Sequence, residues 1–551
     1  MAAIITSEFR KNARAIFTNE LKNGSDNYFI GLGKTDSWPD TTDSLSNVVT
    51  EYSRQFSAPL PVDTVLDKID VLQNLMILAK VSGSTDNSEI FNVIPRNNWA
   101  FDRIYKVYDP TDPKSFDYET IDGVAYYPCY VTSNDRIYIC LSNTDGNGEV
   151  TPSSVAIPSG AGSEAGNYLD FTGDNPQPIS NGEGYIWTLV SFLDEDSKFY
   201  TDQFVDYKQP TSAQQIDQIK NVSGGLIYGF KIVDGGANAT TIPQADSTVI
   251  TIKGTTRDSS GNLVPAEDVV IHNQNQNSPT SIGDFEVIFN NGIESIEYKL
   301  SANIVPWKLD YVTASVVIQT GSGEVNEEVQ ILPLLLPEEG LGRFPDRDLP
   351  SFYAGIAVDF IGEVDGESPV GYNVDVRQIS LIKNPTRNVT GDNETVAVRD
   401  NDDNEGQYAS DEAYDGLKYI QLGSGTALTK DYIGRDYIIE QTGTLAEDVG
   451  ARAWVDYVDT ESDRIYYHQN SSPKVNFKKF LDTNTAPIGT TPAQIKITSI
   501  TGYWDEIKYD VDVVGEAEYM SGTGEVIFYE NRKPINRNFN QTDEVKLVIQ
   551  F

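Results

Sequence analysis

The sequence predicts a mainly β chain built from several modules. Its 551 residues exceed one ordinary domain, so two to four domains are expected. Hydrophobic residues make up 39% of the chain and aromatic residues 11%, which supplies ample core. The 43 Gly and 26 Pro stand among Asn, Asp and Ser clusters, a pattern typical of many turns between short strands. We therefore expect multi-domain β-sandwich-type modules with few helices.

Two short helices are expected near the N-terminus. The segment 7–22 carries apolar residues at helical spacing, and Thr6 or Ser7 can cap its start. Residues 64–76 carry a second apolar stripe, with Asp63 as the expected cap. Both stripes are expected to contact the core rather than a partner. Their members are Phe9, Ala13, Ile16, Phe17, Leu21, Val65, Ile69, Leu72 and Met76.

Strand patterns dominate from about residue 90 onward. Residues 123–143 predict a hairpin, and the strand candidates of 222–345 alternate with turns at near-regular spacing, as in a small inserted sandwich or barrel. Residues 391–520 predict an acidic loop followed by a second inserted β module. The remaining segments are expected to form one discontinuous core. They are 1–221, 346–390 and 521–551.

The last 28 residues predict two strands in a C-terminal hairpin. Val526–Tyr529 is an apolar and aromatic run, and Asn531–Pro534 is expected to end it. From Val545 to Phe551 apolar residues recur at every second position, which indicates a half-buried strand.

The charge of the chain restricts its partners. Lys and Arg number 41 and Asp and Glu 82, giving a net charge of −41. Such a surface repels nucleic acid and anionic membranes, so neither is an expected partner. The N-terminus lacks the features of a signal peptide, and the apolar run 331–337 is too short to span a bilayer. We expect a soluble chain that is made inside the cell.

No catalytic or cofactor-binding residue emerges from the sequence. General-base chemistry most often uses His, and the chain has only His272 and His468, both expected to be structural. Paired carboxylates could serve a glycosidase, but a chain with 82 Asp and Glu contains such pairs throughout. They therefore do not identify a catalytic site. We expect a protein that is not an enzyme and that uses no cofactor.

The two cysteines do not indicate a disulfide-stapled fold. Cys129 and Cys140 have a spacing that suits opposite strands of a hairpin, so a bridge between them is geometrically open. Reduced thiols in the core are the expected state. With no His nearby, the pair makes a poor zinc site.

One acidic segment resembles a calcium loop. Its residues match several ligand positions of such a loop, but the first ligand is Asn rather than Asp and no amphipathic helix flanks it. A solvated acidic loop with no metal is therefore the expectation, with calcium as the alternative. The residues concerned are Asn401, Asp403, Glu405, Gly406 and Glu412.

Aromatic residues of the second β module could stack on sugars. Their regular alternation favours core packing for each one. They are Trp454, Tyr457, Tyr466, Tyr467 and Trp504.

A series of collinear words resembles one family. The final segment, GEVIFYENRKPINRNFNQTDEVKLVIQF, is similar to the C-terminus of the baseplate wedge subunit (gene product eight) family of T4-like contractile-tailed bacteriophages. The other words keep the family's order, whereas 222–340 and 390–520 look like insertions into the common core. They are IITSEFRKNARAIF (4–17), FIGLGKTDSWPD (29–40), PLPVDTVLDKIDVLQNLMILAKV (59–81), VIPRNNW (93–99), GEGYIWTLVSF (182–192) and RQISLIKNP (377–385).

The resemblance implies a structural virion protein of the viral tail baseplate. It implies a homodimer of mostly β subunits that joins neighbouring wedge proteins and relays the rearrangement that triggers sheath contraction. Its implied location is the virion tail, after assembly in the cytoplasm of the bacterial host. The alternative class is a carbohydrate-binding or depolymerising tail spike or adhesin. An intermediate is a wedge subunit whose 390–520 insertion touches host glycan.

Overall fold

The chain divides into two compact units. Unit 1 comprises Met1–Arg14, Asn92–Ala354 and Ile549–Phe551, and unit 2 comprises Ala15–Phe91 and Gly355–Val548. The segment boundaries expected from the sequence remain a prediction. The computed structural model describes residues 6–83, 88–133, 136–143, 179–180, 185–193, 196–208, 213, 225, 227–236, 248–272, 285–289, 292–298, 311–319, 325–360, 375–388, 395–396, 413–423, 437–442, 450–460, 463–482, 494–499, 504–517, 519–536 and 543–551.

The expected mainly β, multi-module fold is confirmed. Helices among the described residues include α1 (Ser7–Asn23), α2 (Val65–Asn74), the single turn α3 (Pro345–Asp348) and a 3-10 turn at Pro113–Phe116. The strands before residue 210 are β1 Tyr28–Gly33, β2 Thr41–Thr42, β3 Val48–Val49, β4 Leu75–Lys80, β5 Ile90–Pro95, β6 Ile104–Tyr105, β7 Glu119–Ile121, β8 Val124–Tyr127, β9 Tyr130–Ser133, β10 Arg136–Asn143, β11 Ile179–Ser180, β12 Tyr185–Phe192 and β13 Phe204–Asp206. The strands from 227 to 360 are β14 Ile227–Asp234, β15 Val249–Arg257, β16 Leu263–Pro265, β17 Val269–His272, β18 Phe285–Phe289, β19 Ile293–Tyr298, β20 Thr313–Gln319, β21 Gln330–Leu335 and β22 Tyr353–Phe360. The strands from 375 onward are β23 Asp375–Lys383, β24 Arg387–Asn388, β25 Thr395–Val396, β26 Ala413–Asp415, β27 Lys418–Leu422, β28 Tyr437–Thr442, β29 Arg452–Asp459, β30 Arg464–His468, β31 Gln494–Ser499, β32 Trp504–Gly515, β33 Glu525–Asn536 and β34 Asp543–Gln550.

Unit 1 contains several small sheets around buried aromatic and aliphatic cores. A four-stranded sheet runs β11-β12-β10-β9, and β6-β8-β7 forms a smaller one. Strand β15 pairs with β16, β17 and β20, while β14 pairs with β21. The segment between residues 227 and 335 has a core of its own, in which Ile227, Ile250, Ile252, Tyr311 and Ile331 are buried together. This unit follows the predicted strand alternation, since six of its strand candidates form between residues 227 and 319.

Unit 2 is organised around a five-stranded sheet of long-range pairings. Its order is β26-β4-β1-β23-β33, so strands distant in sequence are neighbours in space. Strand β1 lies antiparallel to β23 with Ile30 opposite Leu381. Strand β23 is hydrogen-bonded on its other side to β33, with Leu381 opposite Phe528. Strand β23 is therefore paired along both edges, and its residues from Asp375 to Ile382 are buried, polar ones such as Arg377 and Ser380 included.

A closed barrel forms the second module of unit 2. Its strands follow the order β27-β30-β29-β28-β31-β32, and closure removes the free sheet edges. Alternate residues point inward, as shown by the fully buried Ile420, Ile439, Ile465, Ile495 and Val511. The sequence expected a β module here, and the structure shows that it closes on itself rather than forming two packed sheets.

The two N-terminal helices form where expected, but the expected burial of their stripes is partly wrong. Phe9 and Ile16 of α1 are exposed, whereas Arg14, Thr18 and Leu21 are buried. Arg14 occupies the buried face because its guanidinium is paired: it bonds Asp346 Oδ1 at 2.5 Å and the Ser351 carbonyl at 3.2 Å. Aliphatic periodicity alone does not reveal a partner of this kind.

The second helix shows a similar difference. Thr64, rather than Asp63, is its cap, because the Thr64 hydroxyl accepts the Asp67 N–H at 3.1 Å. Leu72 and Met76 are buried as expected, but Val65 and Ile69 are exposed. The N-terminal half of the stripe therefore does not contact the core.

The expected C-terminal hairpin is also corrected. Strand β33 continues through Asn531–Pro534 to Asn536, because Pro534 lies in a strand that still pairs with β23 on one side. Strand β34 belongs to a different sheet, beside β22. The two terminal strands therefore complete separate sheets and do not pair with each other.

Cys129 and Cys140 are free and buried, as expected from the sequence. The Cys140 N–H donates to the Cys129 carbonyl at 2.7 Å, and burial raises the pKa of the Cys129 thiol to about 12. Thiols held neutral in a core react slowly with disulfide reagents. We predict no reaction with Ellman's reagent in the native chain and two thiols per chain after unfolding. One thiol should appear in unfolded Cys129→Ala, and a mass increase on reduction of the wild type would contradict this account.

Candidate functional site

A buried arginine joins distant segments of unit 2. Arg377 lies on β23 with no exposed side-chain surface. Its guanidinium forms a two-point contact with Glu51, Nη2 to Oε1 at 2.6 Å and Nε to Oε2 at 2.8 Å. It also donates to Asp375 Oδ2 at 3.2 Å and to the Thr35 carbonyl at 2.6 Å. Charge-assisted hydrogen bonds thus fix strand β23 and the segment that follows β1 relative to each other.

Thr35 connects the hydrogen-bonded group around Arg377 to the barrel. Its carbonyl accepts from Arg377, and its hydroxyl donates to Asp456 Oδ1. Asp456 lies on β29 and contacts His468 Nδ1 on β30 through both oxygens, at 2.8 and 3.0 Å. The five-stranded sheet and the barrel of unit 2 are therefore linked by one continuous polar network.

The charges of this network perturb each other's ionisation. Burial opposes the charged ring of His468, but the adjoining Asp456 and the nearby Asp36 outweigh burial and hold the pKa of His468 above its ordinary value. Burial likewise opposes ionised Glu51. Hydrogen bonds from Arg377 and from the Trp38 N–H outweigh that effect and hold the pKa of Glu51 below its ordinary value.

An open cleft of about 780 Å³ lies over this network. Asp36 Oδ1 is inaccessible to solvent, accepts no hydrogen bond from the described residues and lies 3.9 Å from His468 Nε2. Asn470 also lines the cleft, where it donates to Asn74 Oδ1 at 2.6 Å and accepts from Trp454 Nε1 at 3.2 Å. The remaining lining includes Lys34, Trp38, Asp70 and Lys474.

The arrangement favours a structural role for His468 over catalysis. An Asp–His pair can activate a hydroxyl or thiol that bonds the other ring nitrogen. Here Nε2 faces the Asn470 amide at 3.3 Å and Asp36. Among the described residues, neither a serine, a threonine nor a cysteine bonds the ring. The pair instead holds β29 and β30 together beneath the cleft.

The other predicted residues have separate outcomes. Trp454 and Tyr467 are buried, as expected for core packing. Tyr457 and Tyr466 are half-buried and stack on each other with ring centroids 4.1 Å apart. The side chains of Trp504 and His272 lie outside the described residues. So does the whole of the calcium-like loop, Asn401, Asp403, Glu405, Gly406 and Glu412.

Two kinds of feature are absent from the described residues, a metal cluster and a membrane-spanning helix. In that part of the chain, no cluster of three or more His, Cys, Asp or Glu side chains has a geometry that fits a metal ion. Nor does any described helix have the length and apolarity that crossing a bilayer requires.

Sequence reasoning missed the residues that organise this site. Arg377 and Asp375 stand two positions apart in a strand that also carries Val376, Ile379, Leu381 and Ile382, and charged residues are rarely buried without partners. That signal could have marked them as a buried ion pair. No local signal joins Thr35 to Asp456, because 421 positions separate them in the chain.

One curated protein is similar to this chain. Over 212 residues, the chain is 27% identical to the "Baseplate wedge protein gp8" of Enterobacteria phage T4. The match covers 35% of this chain and 56% of that relative, so the chain spans only about half the length of the relative. No family model matches the chain. The similarity indicates a distant relation to a phage baseplate protein.

We predict that Arg377→Met destabilises unit 2 by about 3–5 kcal/mol, because it leaves Glu51 and Asp375 buried without their counter-charge. Hydrogen exchange of peptides covering β23 measures the effect within unit 2. Arg532→Met is the matched control, since its ion pair with Glu530 is exposed and should contribute about 0–1 kcal/mol. Glu51→Gln should lower the free energy of unfolding less in the Arg377→Met background than in the wild type. Equal losses in the two backgrounds would contradict an energetic coupling between Glu51 and Arg377.

A second prediction concerns His468. Because its pKa is raised in the folded state, the protonated ring stabilises the fold fully below its ordinary value of 6.5. That contribution disappears as pH rises through the folded pKa. Urea unfolding across this pH range measures the free energy of unfolding of His468→Gln and of the wild type. The variant should be less stable than the wild type by the largest amount at acidic pH, and this difference should decrease as pH increases. A difference that is constant or that widens with pH would exclude a charged His468–Asp456 pair.

Proposed function

We propose that this chain is a non-enzymatic structural subunit of a bacteriophage tail baseplate wedge. The similarity to the baseplate wedge protein gp8 of phage T4 carries this proposal. In it, the chain links neighbouring wedge proteins and relays the rearrangement that triggers sheath contraction. The subunit acts as a homodimer in the virion tail and assembles in the host cytoplasm.

Buried charge networks support a mechanical role. A subunit that passes on a movement must shift as a body rather than deform, and close-packed modules transmit displacement in this way. In unit 2, hydrogen bonds from Arg377 to Thr35 and from Thr35 to Asp456 tie the sheet to the barrel. In unit 1, Asp346 accepts from both Arg14 and Tyr207, each at 2.5 Å. Each unit thus has its own internal cross-links.

The net charge of −41 constrains how such subunits assemble. Copies of this chain repel each other, so complementary basic patches on neighbouring wedge proteins must offset the repulsion. Salt screens such contacts. A wedge complex should therefore weaken at high ionic strength, and a complex unchanged by salt would count against basic partner patches.

A second candidate is a carbohydrate-binding or depolymerising function, alone or as a host-glycan contact within 390–520. The observation that favours it is the tyrosine stack on the barrel. Tyr457 and Tyr466 stack, and Tyr419 lies with its centroid 5.8 Å from that of Tyr466. Partly exposed tyrosines of this kind can stack on sugar rings. Binding on a glycan array that Tyr457→Ala abolishes would favour this candidate.

We predict that a phage lacking this gene produces tails without complete baseplates, because a wedge without one structural subunit cannot close the ring. Negative-stain images of lysates measure the defect. Supplying the wild-type chain from a plasmid should restore normal tails and is the control. Normal baseplates in the absence of the chain would exclude the wedge assignment.

A further inference from the structure

We propose that residues 60–69 of unit 2 form a docking surface for a different wedge subunit, one that presents apolar side chains edged by basic residues. This inference rests on the proposed function and specifies one of its contacts. The surface, which we call the aliphatic patch, consists of Leu60, Val62, Val65, Leu66 and Ile69.

The exposure of these side chains distinguishes the aliphatic patch from an ordinary surface. Leu60 is 85% exposed, Leu66 76%, Val65 75%, Val62 53% and Ile69 41%. Single exposed aliphatic residues are normal, but a contiguous group marks an interaction site. Every residue from 59 to 66 is exposed, so no described part of the chain covers this segment.

The aliphatic patch is held in place by specific contacts. The Tyr529 hydroxyl on β33 donates to the Val62 carbonyl and accepts the Val62 N–H, both at 2.8 Å. Asn531 Nδ2 donates to the Pro59 carbonyl at 3.0 Å. The Thr64 cap fixes the start of α2, and Leu72 anchors its other end in the core. A surface ordered before binding loses little conformational entropy when a partner arrives.

The charges around the aliphatic patch define the chemistry of the partner. Asp63, Asp67 and Asp70 stand in the same segment with one lysine, Lys68, whose Nζ lies 2.7 Å from Asp63. A second copy on a two-fold axis would bring this patch against itself, with aspartates facing aspartates. Such like-charge pairs disfavour association of this patch with its own copy. A partner with Arg or Lys around an apolar centre is complementary.

The test measures binding of the full-length chain to each other baseplate wedge subunit of the same phage, as purified proteins. Leu66→Asp is the informative variant, since it places a charge within the patch at a side chain that is 76% exposed. An acidic residue in the first turn of α2 is favourable for the helix, so this variant should fold and melt like the wild type. Leu45→Asp is the matched control, because Leu45 is 78% exposed in the same unit but lies outside the patch.

We expect Leu66→Asp to weaken binding to one wedge subunit at least about tenfold while Leu45→Asp leaves it unchanged. Binding by the wild type should also weaken as salt increases. Equal binding by Leu66→Asp and wild type would overturn the docking surface and leave the proposed function intact. Loss of self-association alone in Leu66→Asp would also overturn it, in favour of a second copy. A wild-type chain that binds none of the wedge subunits would overturn the proposed function itself.

Discussion

Unit 2 depends on the ion pairs that the buried guanidinium of Arg377 forms with two carboxylates. A charge without exposed surface is stable only with its counter-charges in place, and Glu51 and Asp375 supply them. Because Arg377 lies on a central strand, these contacts fix the loop after β1 relative to the sheet. Through Thr35 the same network reaches the barrel. These contacts hold the segments that line the cleft, so they also determine its shape.

A network of this kind has consequences for a protein in an assembly. A two-point arginine–carboxylate contact specifies one geometry. Force applied at one edge of unit 2 is therefore carried by elements held in register. The apolar contacts available to partners lie elsewhere, on the exposed half of α2. Rigidity and recognition are thus separated within unit 2.

The sequence predicted the local structure well and the long-range contacts poorly. Periodicity located both N-terminal helices, and strand patterns located the strands between 227 and 319. It failed where a polar partner changed which face is buried: Arg14 takes a core position because Asp346 is there, and Phe9 is left exposed. The site depended on pairings such as Thr35 with Asp456, and no local pattern encodes those. The exposed half of α2 was missed because an apolar stripe looks the same whether a core or a partner covers it.

The location of this chain in a map of the assembled phage tail tests the central claim most directly. The account predicts density for the chain in the baseplate wedge, with Leu60, Val65 and Leu66 buried against a different subunit. Density at the tip of a fibre or spike, or no density in the baseplate, would contradict it.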